Sequence, residues 1–244
     1  MTKSVLITGA TRGLGQALAR QFASRGYRLA LTGRKQDELD ALQRELAAQA
    51  TKTCTRVLDV TDYDAIPGVL AACAQELDGL DIVVVNAGVG FATPVGTGVF
   101  EQVKTTIEVN LTGAMATCEA AIALFREQGG GQLVGITSVA KVRGMRRQGA
   151  YSASKAGFAK YLESVRLETW NEPIVVTELA PGYIDTDINR AVEKRPFLVS
   201  AEKGTGIMAD LIERQVTFRY VPIGPWTVMA WLLRLLPASM LRKM

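Results

Sequence analysis

Apolar runs rich in Val, Ile and Leu alternate along the chain with longer segments of helical periodicity. The runs predicted as strands are SVLIT (4–8), RLALTG (28–33), TRVLDV (55–60), DIVVVNAG (81–88), GQLVGITS (131–138) and IVVTELAPG (174–182). Helices are predicted between them, at 13–26, 37–49, 64–77, about 100–127 and from about 150. Several strands are apolar on both faces, which is typical of a parallel sheet covered by helices on both sides. The pattern therefore predicts an α/β fold in which residues 1–244 form a single domain around a doubly wound, Rossmann-like parallel sheet.

Composition narrows the chemistry that this chain can perform. It has no histidine and three cysteines without a C-x-x-C spacing, so we expect free thiols and no metal site. The absence of histidine also excludes Ser-His-Asp triads and Cys-His pairs. No long apolar stretch follows the first residues, which favours a cytoplasmic protein. Residues 214–244 hold five bases and no acid, whereas the rest holds 23 bases and 24 acids, so no nucleic-acid-binding face is expected.

A glycine-rich stretch, TGATRGLG (8–15), lies between the first predicted strand and the first predicted helix. Glycines let the backbone approach an anion at a helix N-terminus, where free N–H groups and the helix dipole favour negative charge. The spacing G-x-x-x-G-x-G differs from the commoner G-x-G-x-x-G fingerprint, and a plain tight turn is the alternative. The residues predicted to contact a dinucleotide here are Gly9, Thr11, Arg12, Gly13, Leu14 and Gly15.

The ends of the next strands indicate which dinucleotide is bound. NAD sites usually place an acid at the end of the second strand, but this strand ends in LTGRK without one. Arg34, with Arg12, is predicted to bind the 2′-phosphate of NADP(H), two solvated surface arginines being the alternative. The residues predicted to border the adenine are Asp59 and Val60, and those predicted to border the ribose are Asn86, Ala87 and Gly88.

The segment YSASK (151–155) places a phenol and an amine four residues apart. On a helix, side chains at i and i+4 share a face, with Cβ atoms about 5–6 Å apart. A neighbouring ammonium favours the phenolate, so Lys155, together with the positive nicotinamide of an oxidised cofactor, is predicted to lower the pKa of Tyr151 from its ordinary value of about 10. For this spacing taken alone, an ordinary helix-surface pair is the alternative.

Taken together, the motifs resemble those of the short-chain dehydrogenase/reductase family of the single-domain type. TGATRGLG, DV at 59–60, NAG at 86–88, Asn110, Ser138, YSASK and PG at 181–182 occur in the family's order and cover residues 1 to about 190. The resemblance implies that Tyr151 donates the proton in reduction and that Lys155 lowers its pKa and binds the nicotinamide ribose. It also implies that Ser138 holds the substrate oxygen and that Asn110 anchors a water behind Lys155. The further cofactor contacts that it implies are Pro181, Gly182, Ile184 and Thr186.

The resemblance, together with the arginines after the second strand, predicts an NADPH-dependent reductase of an aldehyde or ketone, reversible as an alcohol oxidation, with NAD(H) as the less favoured cofactor. Residues 183–212 are predicted as a substrate lid region, and an apolar or lipid-like substrate is expected. The candidate pocket-wall residues are Phe91, Val142, Met145, Phe197 and Leu198. The cations between Ser138 and Tyr151 are Lys141, Arg143, Arg146 and Arg147. They are the only support for an alternative, a 3-oxoacyl thioester reductase, and a solvated basic loop is the other interpretation of them. A redox-sensing NADP-binding protein is the alternative from another class.

The final segment, 225–244, is apolar at 226–236 except for Thr227 and Arg234. A helix of that length spans about 16 Å, too short for the ~30 Å hydrocarbon core. Pro237 is predicted to end the helix, before the basic Arg242 and Lys243. Three interpretations stay open: packing on its own domain near the substrate pocket, packing across a subunit interface, or lying in a membrane surface. The apolar helices at 100–127 and 150–170, with the resemblance, predict a homodimer or homotetramer.

Overall fold

Seven short strands form one parallel sheet in the computed structural model, which describes residues 2–189, 192 and 195–241. The strands are β1 (Ser4–Ile7), β2 (Arg28–Gly33), β3 (Lys52–Val57), β4 (Ile82–Val85), β5 (Gly131–Ile136), β6 (Ile174–Pro181) and β7 (Phe218–Val221). Their order across the sheet is β3-β2-β1-β4-β5-β6-β7. This is the doubly wound, single-domain α/β architecture that the strand–helix alternation predicts.

Helices connect the strands and cover both faces of the sheet. They are α1 (Gly13–Ser24), α2 (Gln36–Leu46), α3 (Ala65–Glu76), α4 (Phe100–Ile107), α5 (Gly113–Gln128), α6 (Gly149–Glu168), α7 (Ala201–Glu213), α8 (Ile223–Leu235) and α9 (Ala238–Leu241). A five-residue π-helix, Glu108–Thr112, joins α4 to α5, and short 3₁₀ helices cover Val139–Val142 and Asp187–Asn189.

The core has two layers because successive side chains of each strand point to opposite faces of the sheet. In β1, Val5 and Ile7 pack with α1, α2 and α7, whereas Leu6 packs with α3, α5 and α6. The largest fully buried side chains include Phe22 on the first face and Phe125 on the second. Strands covered on both faces therefore read as continuous apolar runs in the sequence.

The strand order reverses at β1, which pairs in parallel with β2 on one side and with β4 on the other. The connections that leave the carboxyl ends of β1 and β4 therefore diverge and open a crevice between them. Open α/β sheets bind their ligands in such a crevice. The glycine-rich stretch after β1 and the NAG segment after β4 both begin at this edge.

The long helical segment Phe100–Gln128 is long and apolar enough to cross a membrane by length and composition alone. Its Thr117, Ala121, Ile122 and Phe125 are buried in this domain, and Phe125 belongs to the core beneath the sheet. Core helices of large domains share this length and composition, so we interpret the segment as part of the core.

Three features differ from those that the sequence pattern predicts. The third strand ends at Val57 rather than at residue 60, so Asp59 and Val60 lie in the turn beyond it. Strand β7 was not predicted, because its four residues form a short edge strand that pairs only with β6. The predicted lid region 183–212 is too long, because α7 buries Met208 and Ile212 against α1 and the sheet. Only residues 183–200, called the excursion below, form a loop that leaves the sheet before α7.

The C-terminal segment packs on its own domain. The buried residues of α8 are Trp226, Ala230 and Leu233, and Trp226 clusters with Ala180 and Tyr220 of β6 and β7. Helix α8 ends at Leu235 because Pro237 disfavours helical geometry at Leu236, which is extended. The first of the three interpretations is therefore confirmed for the inner face of α8. Arg242 and Lys243 lie outside the described residues.

Candidate active site

The glycine-rich stretch folds closely over the NAG segment. Gly9 and Gly13 have left-handed φ angles of +65° and +58°, which only glycine adopts without strain. A Cβ on Gly9 would lie 2.9 Å from Ala87 Cα, and a Cβ on Gly15 would lie 2.2 Å from Gly9 O. Helix α1 begins directly after Arg12 without a side-chain cap. Its first N–H groups therefore point towards the crevice at the end with the positive dipole.

Thr8 fixes the spacing between the two segments, a role that the sequence analysis missed. Its hydroxyl oxygen accepts hydrogen bonds from the backbone N–H of Asn86 at 3.0 Å and of Ala87 at 3.1 Å. In return, the amide of Asn86 donates to Thr8 O at 2.9 Å and Gly9 O at 3.3 Å. The ends of β1 and β4 are thus held together by buried polar groups that fill each other's hydrogen-bonding capacity. The only local signal is a threonine at the end of a buried strand.

The end of β2 carries a cluster of cations. Arg34 and Arg12 are exposed, and Lys35 lies within electrostatic reach of Arg12. Lys35 Nζ donates to Glu38 Oε1 at 2.8 Å, and this bond, followed by one from Thr11, lowers the pKa of Glu38. Lys35 is a third cation that the sequence analysis did not include. Arg12 and Arg34 are the exposed arginines of this group, whereas Lys35 is already paired with Glu38.

Asp59 and Val60 lie at the turn after β3, where they were predicted to border an adenine. One carboxylate oxygen of Asp59 accepts from Thr61 N at 3.0 Å and from Thr61 Oγ1 at 2.8 Å. Val60 is buried, and its carbonyl would lie 2.5 Å from a Cβ on Gly113. The close approach of α5 therefore holds this turn in place at the edge of the crevice.

Three elements bring together the four catalytic candidates, here called the tetrad: Asn110, Ser138, Tyr151 and Lys155. Tyr151 and Lys155 share a face of α6, with Lys155 Nζ 6.0 Å from the centroid of the Tyr151 ring. Ser138 caps the 3₁₀ helix after β5, and its side chain is hydrogen-bonded to Tyr151. A Cβ on Gly88 would lie 3.3 Å from Asn110 Oδ1 and 3.7 Å from Lys155 Nζ. The glycine thus leaves space for a ligand between these groups.

Asn110 owes its position to the π-helix. Its amide oxygen accepts from Val89 N at 2.7 Å, and its amide nitrogen donates to Val89 O at 2.8 Å. The nitrogen also reaches Ser154 Oγ at 3.4 Å. Asparagine is unfavourable within an α-helix, whereas the wider π-turn directs this buried side chain to the loop after β4. The residue therefore joins α5, α6 and the NAG segment behind Lys155.

Burial dominates the ionisation of the Tyr151–Lys155 pair. Burial raises the pKa of Tyr151, and the hydrogen bond from Ser138 opposes this rise only in part. Burial also lowers the pKa of Lys155 to about 8, and its amine donates to Ile136 O at 2.9 Å. Burial therefore outweighs the hydrogen bond from Ser138 at the Tyr151 phenol, and the lowering of its pKa by Lys155 together with an oxidised nicotinamide stays a prediction.

The sequence model of the family described as short chain dehydrogenase matches residues 3–196. The chain belongs to the short-chain dehydrogenase/reductase family. An uncharacterized oxidoreductase of Mycobacterium tuberculosis is 38% identical over 244 residues, covering 99% of this chain and 96% of that protein.

Solved structures share the fold. A putative short-chain alcohol dehydrogenase from Sinorhizobium meliloti has a TM-score of 0.84 and 25% identity, covering 93% of this chain and 98% of its own. An alcohol dehydrogenase from Thermococcus sibiricus, complexed with 5-hydroxy-NADP, has a TM-score of 0.81 and 26% identity, covering 90% and 95%. This short-chain dehydrogenase/reductase is an NAD(P)-dependent oxidoreductase that acts on CH–OH or C=O groups.

The segment after β6 closes over the site of this short-chain dehydrogenase/reductase. Ile184 and Val199 form a β-bridge that ties the base of the excursion, and Arg195 pairs with Asp185 at 2.9 Å. Thr186 is buried, and its Cβ would lie 3.8 Å from a Cβ on Gly13. Ile188 covers Gly90, with Cγ1 3.0 Å from a Cβ placed there. The start of the excursion therefore spans from the glycine-rich stretch to the tetrad.

An aromatic wall borders the same side of the site. A Cβ on Gly182 would lie 2.0 Å from Trp226 Nε1, so the indole lies flat against this glycine. The Trp226 ring lies 5.7 Å, centroid to centroid, from both Tyr183 and Phe197. Val142 packs against this cluster, as expected for a pocket wall, whereas Phe91 and Leu198 are exposed, as is the part of Phe197 that does not contact Trp226. Trp226 was not among the predicted site residues, because its position follows from the tertiary fold.

Two of the four cations between Ser138 and Tyr151 have structural partners. Lys141 forms a buried ion pair with Glu178, which also accepts from Thr137 Oγ1 at 2.7 Å. Arg143 donates to Leu233 O at 3.2 Å and to Arg234 O at 3.0 Å, at the C-terminus of α8. The remaining cations of this group, Arg146 and Arg147, are exposed.

A separate cavity of about 310 Å³ opens at the amino edge of the sheet, away from the tetrad. Its lining includes Arg28, Asp78 and Asp81. Arg28 lies 3.6 Å from Asp78, and Asp81 accepts from Ser4 N at 2.7 Å. These charges are already partnered, and open α/β sheets bind ligands at the other edge, so we assign the cavity no catalytic role.

Proposed function

We propose that the chain is an NADPH-dependent reductase of apolar aldehydes or ketones. The observation that supports NADPH most directly is the cation cluster of Arg12, Arg34 and Lys35 at the end of β2, where an acid would favour NADH. A 2′-phosphate there would be held by charge-assisted hydrogen bonds, which are stronger than neutral ones.

The residues present fit a bound dinucleotide. The Gly9–Gly15 turn and the free α1 N-terminus suit its pyrophosphate, and the space at Gly88 beside Lys155 suits its nicotinamide ribose. Asp59, Val60, Asn86 and Ala87 would flank the adenosine half. The backbone of Pro181, Gly182 and Ile184, with Leu14 and Thr186, would close the nicotinamide end.

The proposed mechanism assigns proton transfer to Tyr151. Bound NADPH supplies the hydride that reduces the carbonyl carbon. Ser138, hydrogen-bonded to Tyr151, holds the carbonyl oxygen, and the Tyr151 phenol gives this oxygen its proton. A raised pKa keeps the phenol protonated at neutral pH, which suits an acid in reduction. Lys155 then lies between the phenolate and Asn110. We propose that a proton returns to Tyr151 along this path, from the side of Asn110 through Lys155.

The aromatic wall supports an apolar substrate. Tyr183, Phe197 and Trp226 line the side of the site next to Gly182, and apolar walls with few polar groups are typical of small-molecule sites. The alternative of a 3-oxoacyl thioester reductase rested on four cations. Since Lys141 and Arg143 are engaged within the protein, that support is reduced to Arg146 and Arg147.

We also propose a cytoplasmic homo-oligomer. The buried Cys54, Cys73 and Cys118 are free thiols, as is usual in a reducing compartment. Helix α6 leaves Leu167 and Trp170, at and just beyond its C-terminal end, largely exposed, and such patches favour burial against a second copy.

The test is NADPH oxidation across a panel of medium- and long-chain aldehydes, cyclic ketones and 3-oxoacyl thioesters, with NADH in parallel. We expect turnover with apolar aldehydes or ketones and a lower KM for NADPH than for NADH. Turnover confined to thioesters would support the first alternative. NADPH binding by calorimetry without turnover of any carbonyl would support the redox-sensing alternative.

A further inference from the structure

Helix α8 is apolar on two opposite sides, although packing on the domain needs only one. Trp226, Ala230 and Leu233 form the buried inner face. The outer face consists of Val228, Trp231, Leu232 and Leu235, which recur at i, i+3, i+4 and i+7 and therefore share one stripe. Trp231 is 63% exposed and Leu235 64% exposed. A contiguous apolar face of this kind on a folded domain marks an interaction surface.

The charged residues of the segment that carries this face are of one sign. Residues 214–244 contain five basic residues and no acid. Arg234 lies in the last turn of α8 and is exposed, as is Arg219 just before it on β7. An apolar stripe with tryptophan, in a segment whose charged residues are all basic, is complementary to an anionic lipid surface, where each nearby cation adds about 1 kcal/mol of attraction.

We propose that the outer face of α8 docks on an anionic membrane surface, with the helix lying in the plane of the interface. Its 13 residues span about 20 Å, which excludes crossing the ~30 Å hydrocarbon core. Trp231 would lie at headgroup depth, the usual place of tryptophan in membrane proteins. Arg234 would reach the phosphates with its charged end while its stem contacts the acyl boundary.

A second copy of the chain is a poorer occupant of this face. In a two-fold interface the same patch meets itself, so Arg234 and Arg219 of both copies would be gathered into one interface. No acid within 214–244 is present to neutralise them. Lipid headgroups supply the negative charge that a second copy lacks at this position.

The inner face of α8 connects such a surface to the catalytic site. Trp226 lies against Gly182 and packs edge to face with Phe197 of the lid. Arg143, five residues after Ser138, donates to carbonyls at the C-terminus of α8. Docking would therefore place the lid and the aromatic wall next to the lipid. Resting on the proposed function, this arrangement lets an apolar carbonyl substrate enter from the membrane.

The experiment is co-sedimentation of the full-length protein with vesicles of phosphatidylcholine, with and without phosphatidylglycerol. Trp231→Ala/Leu235→Ala removes two side chains of the outer face. Val57→Ala/Tyr63→Ala is the control, because it removes one aliphatic and one aromatic side chain that are exposed, 49% and 38%, at and after the end of β3, away from α8 and from the proposed α5–α6 interface. We expect the wild type and control to bind anionic vesicles, and the α8 variant to bind roughly tenfold more weakly. Added salt and Arg234→Glu should weaken binding as well.

The proposal is overturned if the α8 variant and the control sediment alike, or if neutral vesicles bind as well as anionic ones. It is also overturned if light scattering shows that only the α8 variant loses subunits, since a second copy would then cover the face. Unfolding midpoints of all variants should stay near that of the wild type, because the altered side chains are exposed. Vesicle binding needs neither NADPH nor a carbonyl substrate, so its outcome is independent of the proposed reductase activity.

Discussion

Lys155 is a buried amine whose hydrogen-bond acceptor is a backbone carbonyl, Ile136 O. The Tyr151–Lys155 spacing predicts that the two side chains share a helix face, and they do. The spacing does not predict whether burial or charge dominates their pKa values, because burial depends on the side chains that the sheet, the lid and α5 place around α6. The pKa of the lysine is lowered and that of the phenol is raised for that reason.

Stability should depend on pH through Lys155. With a folded pKa of about 8 against 10.5 in the unfolded chain, the native state releases this proton first, so the free energy of unfolding rises with pH between these values. From pH 7 to 9.5 we expect the wild type to gain about 2 kcal/mol relative to Lys155→Met. Urea unfolding of both proteins, free of nucleotide, measures this. Parallel pH profiles would contradict the lowered pKa.

Arg34 should determine cofactor choice. Arg34→Asp removes a cation from the proposed 2′-phosphate site and places an acid where NADH-binding sites carry one. We expect the KM for NADPH to rise by about 10- to 100-fold, the value of one or two charged hydrogen bonds, and the KM for NADH to change little. Arg44→Asp makes the same charge change on the exposed side of α2 and should leave both constants unaltered. Equal constants for the two cofactors in the wild type would refute the assignment.

At the scale of elements, the 3₁₀ helix after Ser138 is held by a buried ion pair. Lys141 and Glu178 have side-chain exposures of only 14% and 8%, and burial lowers the pKa of Lys141 against the opposing effect of Glu178. Removing one partner leaves an uncompensated buried charge, which is more costly than removing both.

Glu178→Gln should therefore destabilise the protein by about 3–5 kcal/mol, and Lys141→Met/Glu178→Gln should restore part of that loss. Chemical denaturation of the wild type, both single variants and the double variant gives the coupling free energy between Lys141 and Glu178. Glu163→Gln, which breaks the exposed Lys160–Glu163 pair on α6, is the control and should change the midpoint little. A double variant as unstable as the sum of its single variants would show that the two side chains act independently.

An element can be predicted from the sequence when its own residue pattern specifies it, and not when its packing partners do. Strands β1, β2, β4, β5 and β6 were predicted within three residues at either end, because both faces are buried and their sequences are continuously apolar. Strand β7 is a four-residue edge strand, FRYV, with too little pattern to be distinguished from a loop. Helix α7 was mistaken for lid because its core face, including Met208 and Ile212, is recognisable only once α1 is placed beside it.

The residues of the candidate site also fall into those that a local pattern predicts and those that only the tertiary fold places. Residues fixed by strand ends or helix spacing, such as Gly9, Ser138 and Tyr151, were predicted and lie in one crevice. Trp226 is distant in sequence and reaches the site because β7 and α8 return to the carboxyl end of β6. Lys141 and Arg143 appeared to be free cations because their partners, Glu178 and the end of α8, are contributed by later segments.

At the scale of the whole molecule, self-association through α5 and α6 is predicted. The hydrogen bond of Tyr161 to Glu119 joins the two helices on an exposed face. Leu167 and Trp170 extend apolar surface beyond it. Light scattering at micromolar concentration should give the mass of a dimer or tetramer, and the mass of the 26.3 kDa monomer would contradict the prediction.

The central claim is that Tyr151 gives the proton to the carbonyl while the cofactor is bound in the crevice. The most direct measurement is the single-turnover rate of NADPH oxidation by Tyr151→Phe with the best carbonyl substrate, alongside its NADPH dissociation constant. We predict a rate about 10²–10⁴-fold below that of the wild type and a nearly unchanged dissociation constant. A variant that binds NADPH normally and reduces the substrate at the wild-type rate would contradict the account.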